Sequence, residues 1–149
     1  MPDPEIPVIS VVDLGIVRAV EVTDGDACIV TITPTYSGCP AMQVIADAVT
    51  DALRSHGVDK VTLVNQLAPA WTTDWMTEAG KEKLRAYGIA PPHQTPAGSN
   101  VVRFISKPAR TETVPCPHCG SAHTVESSHF GSTACKALYK CLDCQEPFD

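Results

Sequence analysis

Between Ile16 and Thr33 apolar and polar positions alternate. Ile16, Arg18, Val20 and Val22 fall on one side of an extended chain and Val17, Ala19, Glu21 and Thr23 on the other, and Cys28, Val30 and Ile32 then alternate with Ile29, Thr31 and Thr33. A period of two predicts a pair of strands. Thr23-Asp24-Gly25-Asp26 between them carries the Asp-Gly pair of tight hairpin turns. From Pro40 to His56 the period changes: Ala41, Ile45, Ala48, Val49, Ala52 and Leu53 share one face of a helix, while Gln43, Asp47, Asp51 and Arg54 face away. Gly57 follows the last turn, where a left-handed cap is expected. Lys60 to Gln66, "KVTLVNQ", predicts a third strand. A second helix is expected from Thr73 to Tyr87, "TDWMTEAGKEKLRAY", with Gly80 inside it and Gly88 and Pro91-Pro92 ending it. Trp71 and Trp75, four apart, would form either one packing stripe on that helix or an exposed anchor for a partner.

Beyond the second helix, "PPHQTPAGSN" (Pro91–Asn100) reads as a loop and Val101–Ile105 as a further strand. "KPARTETVP" (Lys107–Pro115) has little apolar content and reads as a linker. The expectation is an α/β (α+β) domain over residues 1–107, a small mixed sheet with flanking helices, followed over 108–149 by a cysteine-rich domain.

Composition narrows the function classes. Of 149 residues 44% are hydrophobic, enough for a buried core, and 17 acidic against 11 basic residues leave a net charge of −6. That surface repels a phosphate backbone, so nucleic acid is a poor partner. The first residues, Met-Pro-Asp-Pro-Glu-Ile, lack the basic and apolar regions of a secretory signal, and no apolar run would span a bilayer. A cytoplasmic protein without membrane contact is therefore expected. Seven cysteines, an odd number with four in two C-x-x-C pairs, favour metal binding over disulfides.

Those pairs are "CPHC" (Cys116 and Cys119) and "CLDC" (Cys141 and Cys144), separated by 21 residues. A two-residue spacer lets two thiolates reach one ion from a tight turn, and a second such turn completes a tetrahedral sulfur set, as in a zinc ribbon. A ribbon of this size buries little apolar surface, so the metal supplies the cross-link a core cannot. One structural zinc per chain is the expectation, with a rubredoxin-type iron site or a cluster as the other occupant of such a set. His118, His123 and His129 are close enough in sequence to substitute as ligands, but with four cysteines at hand they read as surface residues or hydrogen-bond donors to the site. Cys135 has no partner at metal spacing and stands as a small semi-buried side chain or a secondary thiol.

Cys39, in "TYSGCPAM", falls at the expected N-cap of the first helix with Pro40 at its first position. The partial positive charge of a helix start favours thiolate, the nucleophilic and metal-binding form. A capping cysteine and a reactive one are both compatible with this position. Before the linker the histidines are His56, at the far end of the helix, and His93, in the loop, so no base is placed beside the thiol by sequence. A single thiolate per chain suits incomplete ligation of iron or of a cluster that is passed on. Cys28, in an alternating strand, reads as core.

The segments "DPEIPVISVVDLGIV" (Asp3–Val17), "TPTYSGCPA" (Thr33–Ala41), "APAWTTDWMTEAGKEKLRAYGIAPP" (Ala68–Pro92) and the cysteine-rich stretch from Cys116 to Asp149 resemble the PaaD family. These are accessory proteins of the bacterial phenylacetyl-CoA epoxidase system, and their first two-thirds are similar to the small-domain family of cytosolic iron–sulfur assembly factors. The resemblance implies an exposed Cys39 engaged in iron or iron–sulfur cluster assembly. It also marks the acidic Asp3 and Glu5 of "DPE" as candidates near that thiol or a metal, a solvated acidic patch being the alternative. It implies a non-catalytic component that serves the epoxidase reductase or oxygenase, with assembly machinery and a second copy of the chain as further partners. The chain lacks the paired Glu-x-x-His motifs on long helices that a carboxylate-bridged di-iron centre requires. A purely structural component of the epoxidase complex, in which Cys39 merely caps a helix, is the alternative.

Overall fold

The computed structural model describes residues 1–23, 27–92, 113–133 and 135–149. The Asp24–Asp26 turn, the strand expected at 101–105, the greater part of the loop and linker, and the boundary expected at 107/108 lie outside those residues. The chain forms two compact units, Met1–Leu84 and Arg85–Asp149.

In the first unit β1 (Val17–Thr23) pairs antiparallel with β2 (Ala27–Ile32), which pairs parallel with β3 (Lys60–Asn65), in the order β1-β2-β3. Parallel neighbours cannot be joined by a tight turn, and α1 (Met42–Ser55) carries the return. The registers Val20–Val30–Leu63 and Val22–Cys28–Val61 set these side chains on one face. α1 packs against β3, with Ile45 and Val49 buried, and on β2 Cys28, Val30 and Ile32 are buried as well. Val20 and Val22 share that face yet remain 55% and 78% exposed, so the cover does not extend over the β1 edge.

α1 ends as expected: the N–H of Gly57 donates to Arg54 O and that of Val58 to Leu53 O, with Gly57 at φ +89°, a Schellman arrangement. Its start differs. The N-cap is Ala41, without a side-chain cap, and Cys39 lies two residues earlier.

The second expected helix is divided. Thr73–Trp75 forms one 3-10 turn, Met76 is extended (ψ 138°), and α2 runs Glu78–Tyr87. Two threonines account for the break: Thr72 Oγ1 accepts from Asp74 N–H at 3.0 Å, and Thr77 Oγ1 accepts from Gly80 N–H at 3.0 Å. Each hydroxyl starts a new segment by satisfying amides that lack a helical partner. Trp71 and Trp75 therefore do not share a helical stripe. The Trp71 indole N–H donates to Leu14 O at 2.9 Å, and the Arg18 guanidinium lies 3.5 Å from the centre of the Trp75 ring. Between them Gly15 has φ +69°, and a Cβ there would stand 2.5 Å from Trp75 O.

Asp13 fastens α2 to the N-terminal segment. Its carboxylate accepts from Lys83 Nζ at 2.7 Å and Thr77 Oγ1 at 3.1 Å, and its carbonyl accepts from Thr77 N–H. The Lys83 ammonium holds the Asp13 carboxyl at about 2, with burial opposing and Ser10 and Thr77 assisting.

In the second unit β4 (Thr124–Ser128), β5 (Leu138–Cys141) and β6 (Pro147–Phe148) form an antiparallel sheet in that order. Its small core joins Cys116, Cys141 and Phe148 with Ala90, Val114, Tyr139 and Cys144 around them. Tyr139 stacks on Phe148 at 5.5 Å. Among the described residues no helix is long and apolar enough to cross a membrane.

Candidate metal centre and the Cys39 loop

Both C-x-x-C turns bring their thiols together. The Sγ atoms of Cys116, Cys119, Cys141 and Cys144 all lie within 4.8 Å of one another, with Cys116–Cys144 at 3.8 Å and Cys119–Cys141 at 3.6 Å. An ion held about 2.3 Å from four sulfurs at tetrahedral angles spaces them about 3.8 Å apart, so the donor set fits such an ion. Cys116 and Cys141 are buried, Cys144 is half-buried and Cys119 is exposed. This is the one candidate cluster of metal-ligating side chains among the described residues.

The turns also prepare the sulfurs electrostatically. The N–H of Cys144 points at Cys141 Sγ (3.5 Å) and lowers that thiol to about 7 against the effect of burial, with the N–H of Asp143 helping. At Cys144 the N–H of Glu146 pulls downward, but burial and the thiols of Cys141, Cys119 and Cys116 outweigh it and push the group up to about 12. Four close sulfurs cannot all ionise without a cation among them. A bound metal ion relieves that repulsion.

Around the sulfurs lies a cluster that spacing did not single out. Ser121 Oγ donates to Asp143 Oδ2, His123 Nδ1 lies 3.1 Å from Asp143 Oδ1, and His123 N–H donates to Ser121 Oγ at 3.0 Å. The Ser121 hydroxyl, then His123, hold the Asp143 carboxyl below its ordinary range. Of the other two histidines, His118 borders Gly88 and His129 packs edge-on against Phe130. Cys135 is exposed, 3.1 Å from Thr133 Oγ1.

In the first unit Cys39 closes a turn, its N–H donating to Tyr36 O at 3.2 Å and its carbonyl accepting from Met42 N–H at 3.4 Å. It is half-buried, less open than the resemblance implied, between exposed Gly38 and Pro40. Gly38 has no positive φ, and a Cβ there would meet only the Tyr36 ring at ordinary contact distance. Ahead of this loop Thr33 is buried, and its hydroxyl makes no hydrogen bond among the described residues.

The acidic motif is divided in role. Asp3 is 7% exposed, and its Oδ1 accepts from the N–H groups of Glu5 (2.9 Å) and Ile6 (2.8 Å), which commits that oxygen to the turn that opens the chain. Glu5 is exposed.

A small mixed α/β domain joined to a four-cysteine ribbon is the class that the fold and the sulfur cluster support, and comparison with known proteins supplies the families. Residues 1–65 match the family model described as iron–sulfur cluster assembly protein, and residues 103–149 that of the PaaD zinc beta ribbon domain. The whole chain is 49% identical to 84% of a protein of Escherichia coli (strain K12) named as a candidate component of 1,2-phenylacetyl-CoA epoxidase. Over 83 residues, 55% of this chain and 93% of the relative, it is 39% identical to the Fe-S protein maturation auxiliary factor SufT of Staphylococcus aureus (strain USA300). The crystal structure of a domain of unknown function, DUF59, from Bacillus anthracis superposes with a TM-score of 0.52 at 27% identity, covering 56% of this chain and 79% of that one. The chain belongs to the PaaD family.

Proposed function

We propose that this protein is a non-catalytic maturation factor of a phenylacetyl-CoA epoxidase system, assisting iron or iron–sulfur cluster assembly in the reductase or oxygenase component. The observation that carries this reading is the joining, in one chain, of a cluster-assembly domain and a ribbon, with full-length similarity to the candidate epoxidase component of Escherichia coli. In this reading Cys39 holds the cargo. Its turn leaves Gly38 and Pro40 exposed on either side, and no atom among the described residues demands glycine at 38, which suits approach by a client. The ribbon holds one structural zinc through Cys116, Cys119, Cys141 and Cys144 and presents a rigid surface to the partner. With all four positions filled by sulfur such a site has no place for a reacting water, which fits a structural role. The protein acts in the cytoplasm.

Glu5 is exposed, which suits contact with a partner or the cargo. Asp3 acts through the turn that its Oδ1 fixes.

The test is anaerobic reconstitution with iron and sulfide of wild type and Cys39→Ala, followed by transfer to the apo-reductase and, separately, to the apo-oxygenase. Transfer by the wild type and its loss in the variant are expected. Equal transfer by both proteins would refute the role of Cys39 and favour a structural component.

A further inference from the structure

The two cysteine turns are linked by more than their sulfurs. Ser121 follows the first C-x-x-C turn by two residues, His123 precedes β4, and Asp143 occupies the spacer of the second turn. The Asp143 carboxylate accepts from the Ser121 hydroxyl with one oxygen and faces His123 Nδ1 at 3.1 Å with the other. Backbone bonds flank this pair: Leu142 N–H donates to His123 O at 2.8 Å, and Cys116 N–H donates to Ser121 O at 2.9 Å. The geometry differs from a hydrolytic triad, because the carboxylate stands between serine and histidine and the imidazole does not face the hydroxyl.

We propose that Asp143 is a positioning residue for the metal centre: with Ser121 and His123 it clamps the exit of the first cysteine turn to the spacer of the second and so retains the bound ion. This rests on the reading of the four cysteines as a zinc site. The physical reason is separation. Releasing the ion requires the two turns to part, and every bond that spans them must open with the sulfurs. Groups hydrogen-bonded directly to metal ligands contribute a factor of about 10–100 in metal affinity, and the Asp143 carboxylate, which bonds Ser121 and His123 beside the ligands, falls at the lower end of that range.

The test follows zinc release from the intact chain to a chromogenic chelator in wild type, Asp143→Ala, Asp143→Asn and Ser121→Ala, after metal analysis of each. Asp143→Ala is expected to release zinc about 10-fold faster. Asp143→Asn keeps an acceptor for Ser121 and is expected to restore most of the retention. Ser121→Ala removes one arm, remains informative if Asp143→Ala does not fold, and is expected to speed release as well. Cobalt-substituted proteins should keep the same tetrahedral four-sulfur absorption throughout, since the ligands are unchanged. Release at the wild-type rate from both alanine variants, or release from Asp143→Asn as fast as from Asp143→Ala, overturns the clamp. A wild-type chain without stoichiometric metal defeats the zinc-site reading and the clamp with it, whereas bound zinc with unaltered release defeats the clamp alone.

Discussion

Replacing Asp13 by asparagine isolates the charge that fastens α2 to the N-terminal segment. The carboxyl is lowered from 3.8 to about 2, and its largest cause is the Lys83 ammonium at 2.7 Å. Taken alone, that shift corresponds to roughly 2 kcal/mol. The Lys83 side chain is 49% exposed, so solvent screening reduces the contribution to about 1 kcal/mol. The folded pKa is depressed, so this stability is fully present above the unfolded value of about 4 and is lost as pH falls through about 2. Urea unfolding of wild type and Asp13→Asn, followed by far-UV circular dichroism at a series of pH values, measures it. A gap of about 1 kcal/mol near neutral pH should close progressively below about pH 4 and shrink further in high salt. Metal loss at low pH affects both proteins alike and cancels in the difference. Equal stability at neutral pH, or a gap that persists unchanged at about pH 2, would refute the reasoning.

Gly15→Ala should cost about 2–3 kcal/mol in urea unfolding, because φ +69° disfavours a side chain and the new Cβ would meet Trp75 O at 2.5 Å. Asp3→Ala leaves the N–H groups of Glu5 and Ile6 without their acceptor and should cost about 1–2 kcal/mol in the same assay; Asp3→Asn, which keeps an acceptor, should cost less. Cys141→Ser should abolish stoichiometric metal in elemental analysis. Competition with a chelator should show the wild-type site binding more tightly at about pH 8 than at about pH 6, because the thiols must lose protons to bind.

Features that depend on near neighbours were legible in the chain before it folded. Alternation over Ile16–Thr33 foretold β1 and β2, the helical period and Gly57 foretold α1 and its cap, and two C-x-x-C turns foretold the four-sulfur site. Hydrogen bonds within a helix, a capping glycine and two thiols of one turn all act over a few residues, so their signature is local. Bonds between distant residues emerge only on folding. Trp71 meets Leu14 across 57 positions and Lys83 meets Asp13 across 70, and no periodicity announces either bond. The same holds for the break at Met76, where Thr72 and Thr77 each became a cap although the pattern read as one helix, and for Asp3, whose carboxylate serves the opening turn. Asp143 is the intermediate case. Its place inside a C-x-x-C spacer is visible in the sequence, but that it reaches Ser121 and His123 follows only when the ribbon pairs β4 with β5 and brings the two turns side by side.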